Sequence, residues 1–244
     1  MQPNFFTPGS PFLKHPLLTE DRTRREIDFL IERLGMSPET RCLDMGCGWG
    51  RHALELARRG FPAVGIDPSP TMVAAAQTNA AEQGLPATFS VADGVAFSSD
   101  MAWDVVLCLF TTLGQMGDAQ HDNRALIPNA YDLLAPGGWF VVEVPQRDPT
   151  VANLRPTEQF AGPHRSTTVT RSYNAAEHFV TEIFSMTGAG MSPTEYVLRY
   201  RLFAVQELHR MLADAGFVVR DAYEMLGGNK LTPSSPMMVF LAQK

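Results

Sequence analysis

The chain has 244 residues, 45% of them hydrophobic and 19% charged, with a formal net charge of −6. That balance excludes a disordered chain and allows one large α/β domain, or a core domain carrying an insertion. The acidic sign counts against a nucleic-acid partner, which usually leaves a larger basic footprint, and apolar runs such as residues 105–110 and 140–142 are far too short to cross a bilayer.

The first residues lack the basic-then-apolar pattern of a secretory leader, because Pro3, Pro8, Pro11 and Pro16 interrupt it, so a cytoplasmic protein is expected. Arg22, Arg24 and Arg25, like Arg58 and Arg59 further on, read best as solvated helix faces. Short apolar runs and helical patterns alternate from about Thr40. Residues 41–45 read as a strand, and residues 50–59 as a helix with Ala53, Leu54 and Ala57 on one face, stopped by Gly60. A second strand over residues 62–66 ends at Asp67. Ser69-Pro70 then gives a cap followed by proline at the first helical position, for a helix closing near Gly84.

Thr88–Val91 is the third expected strand and residues 104–110 the fourth. Asp122 is placed to cap a helix reaching Leu134, in which Pro128 predicts a kink or a late start. A Pro136-Gly137-Gly138 turn introduces the fifth strand over residues 139–144. The rhythm then changes: residues 167–172, 179–186 and 196–200 have strand character, with turns at Asn174 and over residues 187–190. A helix over residues 205–215, stopped by Gly216, and strands over 218–225 and 237–242 complete the chain. Alternating β and α elements with buried strands predict a parallel sheet between helices.

The cysteines, Cys42, Cys47 and Cys108, are odd in number and form no C-x-x-C pair, and the histidines show no H-x-x-x-H spacing. No disulfide framework and no metal site is expected. Cys47 reads as a small packing residue rather than a nucleophile.

The chemistry concentrates in Asp44-Met45-Gly46-Cys47-Gly48-Trp49-Gly50, where a strand enters a glycine-rich turn that opens a helix. Such turns let backbone N–H groups approach a ligand closely. Gly48-x-Gly50-x-x-Ala53 also fits a dinucleotide fingerprint, with Asp67 placed 17 residues after Gly50 to bind a ribose diol. Asp67 serves either cofactor. Three features separate them. Asp44 ahead of the glycines suits an ammonium better than a pyrophosphate; Asp93, in Ala92-Asp93-Gly94, follows the third strand where an acid can accept from an adenine amino group; and residues 133–138, Leu-Leu-Ala-Pro-Gly-Gly, are foreign to the dinucleotide pattern.

With these motifs the sequence resembles the class I S-adenosylmethionine-dependent methyltransferases, from about Arg22 to the C-terminus. The resemblance implies a Rossmann-like α/β fold: a seven-stranded, mostly parallel sheet with helices on both faces and the last strand antiparallel, plus a small antiparallel β insertion as cap. It further implies a helical arm over residues 1–36, a cofactor domain over 37–145 and 204–244, and the cap over 146–203. The cofactor would be S-adenosylmethionine. The turn residues Asp44, Gly46, Cys47, Gly48 and Gly50 would hold its methionine part, Asp67 beside Pro68 its ribose, and Asp93 with Gly94 its adenine, with Met72 packing on the ring and Leu109 nearby. Arg22-Thr23 resembles a pair whose arginine reaches the cofactor carboxylate. Tyr200-Arg201-Leu202-Phe203, with Glu207-Leu208 and Ala215-Gly216-Phe217, resembles a bacterial small-molecule subgroup with a β-rich insertion. That subgroup carries an S-F-G-Y-like stretch after strand four, where this chain departs to Thr112-Leu113-Gly114-Gln115.

A sulfonium is already an activated methyl donor, so the expected mechanism is alignment of a nucleophile for in-line displacement, without a required catalytic residue. Glu143, near the end of strand five, is the candidate for orienting an amine or accepting a proton; a carboxylate at a polar strand end with no chemical task is the competing reading. Phe110, Gln115, His164, Tyr173, His178 and Tyr200 are candidates for substrate contact. A small-molecule acceptor leads, for a monomer or homodimer with no nucleic-acid or membrane partner. A methyltransferase acting on RNA or protein, a dinucleotide-dependent enzyme and a cofactor sensor are the alternatives.

Overall fold

The computed structural model describes residues 18–115, 123–161, 165–188 and 191–244. His164, Asp122, the first 17 residues of the N-terminal arm and the last two residues of the 187–190 turn lie outside them.

The main sheet collects β1 (Cys42–Met45), β2 (Ala63–Asp67), β3 (Thr88–Val91), β4 (Trp103–Cys108), β5 (Leu134–Pro145), β10 (Val218–Tyr223) and β11 (Met237–Gln243) in the order β10-β11-β5-β4-β1-β2-β3. Only β11 runs against its neighbours, pairing antiparallel with both β10 and β5, as expected of the last strand. The helices are α1 (Glu20–Leu34), α2 (Arg51–Arg58), α3 (Pro70–Gln83), α4 (Leu126–Leu133), α5 (Arg147–Ala152) and α6 (Val205–Asp214).

Strand alternation divides the core. Along β5, Phe140, Val142 and Val144 face one cluster with residues of α4 and α6, whereas Val141 faces another with Ile27 and Leu30 of α1, Ala53 and Leu56 of α2, and Val73 and Ala76 of α3. Every strand residue has only two faces to choose from, so a sheet buried on both reads as an unbroken apolar run.

Local signals explain the helix ends. Ser69 accepts from the Met72 N–H, Pro70 occupies the first turn, and Gly84 ends α3 in the left-handed conformation at φ 61°. Pro128 produces a late start and no kink: α4 begins at Leu126, which puts the proline in the first turn, where its missing N–H is not needed.

The cap is a four-stranded antiparallel sheet in the order β6-β7-β8-β9, from β6 (Thr157–Ala161), β7 (Arg165–Asn174), β8 (Phe179–Gly188) and β9 (Met191–Arg201). It contains one strand more than the sequence suggested, β6, and α5 precedes it. The cap is joined to the main sheet beyond the carboxyl ends of β4 and β5: the Arg201 N–H donates to the Gly114 carbonyl at 2.8 Å, and Gln146 bridges Phe203. Parallel strands put the glycine turn after β1 and Asp67 at the end of β2 on that same edge.

Candidate active site

Three left-handed glycines build the turn after β1: Gly46 at φ 80°, Gly48 at 55° and Gly50 at 85°. A Cβ on Gly46 would run into the Thr112 side chain, and one on Gly50 would lie 2.7 Å from the Phe89 ring and 3.1 Å from Ala76. These two glycines are therefore required by the protein's own packing, of the loop after β4 and of α2 against β3 and α3. Gly94 is similar. Its Cβ would meet Leu126 at 2.6 Å and Met45 at 2.8 Å.

Asp67 supports the turn from β2. Oδ2 accepts from the Gly48 N–H at 3.0 Å and Oδ1 from the Ser69 N–H at 2.8 Å, while burial pushes its carboxyl above the ordinary range. Asp44 is buried at the end of β1, and its Oδ2 has no hydrogen-bond partner. Burial pushes Asp44 up to about 7, opposed by Arg51 and assisted by the Asp67 charge. Met72 is fully buried, Leu109 is in the core and Cys47 is buried against the turn with its thiol raised by burial. Asp93 and Pro68 are exposed, and the Asp93 Oδ1 accepts from the Val95 N–H at 3.0 Å.

Beyond β4 the backbone takes an uncommon course. Phe110 and Thr111 are both left-handed, at φ 52° and 64°, without being glycine. Glu143, fully buried, accepts the Phe110 N–H through Oε2 at 3.0 Å, and its other oxygen faces Arg22 Nη2 at 3.7 Å. Burial raises the Glu143 carboxyl, and the Glu26 charge adds to the rise against Arg22.

Sequence reasoning missed a buried ionic cluster beside the turn. Glu26 of α1 receives Arg22 Nε at 2.7 Å, His52 Nε2 at 3.0 Å and Arg51 Nη1. Burial raises the Glu26 carboxyl, but His52 and Arg51 outweigh it and hold the group well below the carboxylate range. Burial, with Arg51 beside it, pushes His52 down to about 4, so the imidazole is neutral near pH 7. Arg22 and Arg51 also lie over the Phe110 ring, at 5.5 and 5.8 Å from its centroid. These partners sit 25 or more residues apart, and only the i,i+4 pair Arg22/Glu26 is visible in sequence.

In the cap, Tyr173 Oη and His178 Nδ1 are 2.8 Å apart, and the Tyr200 hydroxyl donates to Glu182 Oε1 at 3.4 Å. Gln115 forms a β-bridge with Tyr200, so the loop after β4 and the last cap strand are in contact. Among the described residues no cluster of ligating side chains is placed to hold a metal.

Residues 42–138 match a family described as "Methyltransferase domain". A ubiquinone biosynthesis O-methyltransferase from Psychrobacter arcticus is 28% identical over 73% of this chain and 59% of its own length. The methyltransferase CcbJ from Streptomyces caelestis superposes with a TM-score of 0.82 at 18% identity, covering 98% of this chain and 97% of that one. Residues 42–138 thus carry a methyltransferase domain, on a fold shared with S-adenosylmethionine-dependent methyltransferases. The S-adenosylmethionine-bound structure of CalS10, an amino pentose methyltransferase from Micromonospora echinaspora, also superposes, with a TM-score of 0.65 at 22% identity over 92% of this chain and 90% of that one. At these identities the structural likeness is one of fold. The chain spans about half the length of most curated relatives it matches.

The dinucleotide reading of Gly48-x-Gly50-x-x-Ala53 gives way to this methyltransferase domain. The residues present fit its cofactor on one point of chemistry above all: the orphaned Asp44 Oδ2 needs a cationic or N–H donor, which an α-ammonium supplies. Among the described residues no helix is long and apolar enough to cross a membrane.

Proposed function

We propose that the chain transfers the methyl group of S-adenosylmethionine to a small-molecule acceptor held between the glycine turn and the β cap. The observation that carries this reading is the junction of the two: Gly114 and Gln115 of the loop after β4 are bonded to Arg201 and Tyr200 of the last cap strand. A compact lid on the carboxyl edge of the sheet, on a chain of net charge −6, suits a small ligand better than a polynucleotide. The likeness to a ubiquinone biosynthesis O-methyltransferase and an amino pentose methyltransferase supports the same class of acceptor.

When bound, the cofactor supplies a sulfonium-activated methyl group, which joins the acceptor's lone pair as the bonding electrons of the broken C–S bond stay on sulfur. The chain's task is positioning and exclusion of water, worth on the order of 7–11 kcal/mol in favourable cases. In this reading Asp44 holds the ammonium, Asp67 the ribose hydroxyls and Asp93 the adenine edge, with Met72 beneath the ring. In the same reading Phe110 and Gln115 of the loop after β4, with Tyr173, His178 and Tyr200 of the cap, shape the acceptor's side. Glu143, in this reading, orients the loop through its Oε2, which accepts the Phe110 amide.

The test is incubation of the protein with methyl-tritiated S-adenosylmethionine and a fractionated cell extract. Label is expected in the small-molecule fraction. Label confined to RNA or protein would sink the small-acceptor reading and favour a macromolecular one.

A further inference from the structure

Arg51 opens α2 directly after the glycine turn, and its two terminal nitrogens have different surroundings. Nη1 donates to Glu26 Oε2 and, at 3.2 Å, to Thr23 Oγ1, both on α1. Nη2 is buried and has no hydrogen-bond partner. The side chain is 9% exposed, so water offers it little compensation. At the other end of the turn Asp44 Oδ2 is buried and orphaned as well. The two groups are near enough for the Arg51 charge to act on the Asp44 carboxyl, yet they do not bond to each other. Two buried, unsatisfied atoms of opposite charge thus flank one glycine turn, and an α-amino acid zwitterion carries the complement of both.

Arg22 has a different setting. Its Nε is bonded to Glu26 Oε1 and its Nη2 faces Glu143 Oε1, so its charge is already set between two carboxylates.

We propose that Arg51 Nη2 receives the α-carboxylate of S-adenosylmethionine while Nη1 stays on Glu26 and Thr23, so that one guanidinium couples recognition of the cofactor's carboxylate to the docking of α1. The proposal rests on the methyltransferase reading and assigns to Arg51 the contact that the resemblance gave to Arg22. A guanidinium suits the task because its donors are fixed in a planar fork and can serve two acceptors at once. Asp44, taking the ammonium, acts on the neighbouring group of the same ligand.

The experiment compares S-adenosylmethionine with its decarboxylated analogue, which keeps the sulfonium and the ammonium but lacks the carboxylate. Both are titrated calorimetrically into wild type, Arg51→Met and Arg22→Met, and hydrogen exchange of α1 is followed with each ligand. Loss of a charge-assisted bond predicts that Arg51→Met weakens S-adenosylmethionine roughly 10- to 100-fold and the analogue by less than about threefold. Arg22→Met affects the two ligands alike. In wild type, exchange in α1 slows more with S-adenosylmethionine than with the analogue, and that difference vanishes in Arg51→Met.

Equal weakening of both ligands in Arg51→Met would overturn the proposal by reducing Arg51 to a structural prop. So would unchanged affinity, or a carboxylate-selective loss that appears in Arg22→Met instead. Should Arg51→Met not fold, Arg51→Lys keeps the charge and removes the fork; a partial loss restricted to the carboxylate-bearing ligand is expected, and an equal loss for both would again overturn it. Failure of wild type to bind either ligand would remove the methyltransferase reading itself, which is a separate result.

Discussion

Glu143 holds two successive left-handed residues in place: its Oε2 accepts the Phe110 N–H at 3.0 Å, and its backbone carbonyl accepts the Thr111 N–H at 3.1 Å. Backbone of this kind costs about 1–3 kcal/mol per residue and persists only where its surroundings over-determine it. Here the end of β5 provides that constraint for the loop after β4. Glu143→Ala should therefore destabilise the protein by about 1–3 kcal/mol, the cost of a buried donor left unpaired. Glu143→Gln keeps an acceptor oxygen and should retain most of the stability and most of the cofactor affinity. Urea denaturation with calorimetric titration checks both; complete loss of turnover in a stable, cofactor-binding Glu143→Gln would restore the proton-transfer role.

Asp44 sets stability against binding. With its carboxyl raised to about 7 by burial, the folded protein binds a proton that the unfolded chain gives up near its ordinary value of 3.8. Between those values the folded state holds more protons, so this group's contribution to stability falls as pH rises, and levels off above about 7. Asp44→Asn removes the buried charge and should raise the melting temperature of the ligand-free protein at about pH 8. The same substitution should weaken S-adenosylmethionine binding by about 1.5–3 kcal/mol. In wild type, affinity should rise with pH from about 5.5 to about 7.5 as the carboxylate forms. A flat affinity profile over that range would take Asp44 out of the ammonium contact.

The Glu26 cluster has the opposite sign. Glu26 is held below its ordinary value, because His52 and Arg51 outweigh the effect of burial, and its contribution is present above about pH 4.5 and lost as pH falls towards its folded value. His52, pushed down to about 4 by burial and by Arg51, adds to the loss: between about 6.5 and 4 the unfolded chain takes up a proton that the folded protein refuses. Taken alone, this cluster therefore loses stability from about pH 6.5 downward, opposite in sign to the contribution of Asp44 over the same range. Glu26→Ala, which leaves Arg51 and His52 without their buried partner, should cost about 3–5 kcal/mol. Melting curves of wild type and His52→Gln between about pH 4 and pH 7.5 test this, with a shallower acid dependence expected in the variant.

How far the sequence reveals this molecule depends on how local each determinant is. The parallel sheet is legible because each strand is a short apolar run ended by a turn signal, and α3 because Ser69, Pro70 and Gly84 mark both ends within its own residues. The cap is harder. Thr157–Ala161 has no apolar alternation, since β6 is an exposed edge strand with Phe160 54% exposed. Residues 191–195 contain Pro193 and look unlike a strand, but β9 is the other edge, where a missing N–H is tolerated. Gly46 and Gly50 are visible as glycines, yet that they accommodate Thr112 and Phe89 depends on contacts distant in sequence. The Glu26–Arg51–His52 cluster has no sequence signature at all, because it exists only once α1 packs on α2.

Asp67 does two jobs, and they can be separated. Its carboxylate accepts from the Gly48 and Ser69 amides, which tie the glycine turn to the start of α3. Asp67→Ala should therefore lower stability as well as weaken cofactor binding by about 1.5–3 kcal/mol, whereas Asp67→Asn, with one acceptor oxygen left, should lose less of each. Adenine alone distinguishes the two effects, since it lacks the ribose: its affinity should be nearly unchanged in Asp67→Asn, while that of S-adenosylhomocysteine falls. An equal loss for both ligands would mean that Asp67 acts only by shaping the turn, and the ribose contact would have to be assigned elsewhere.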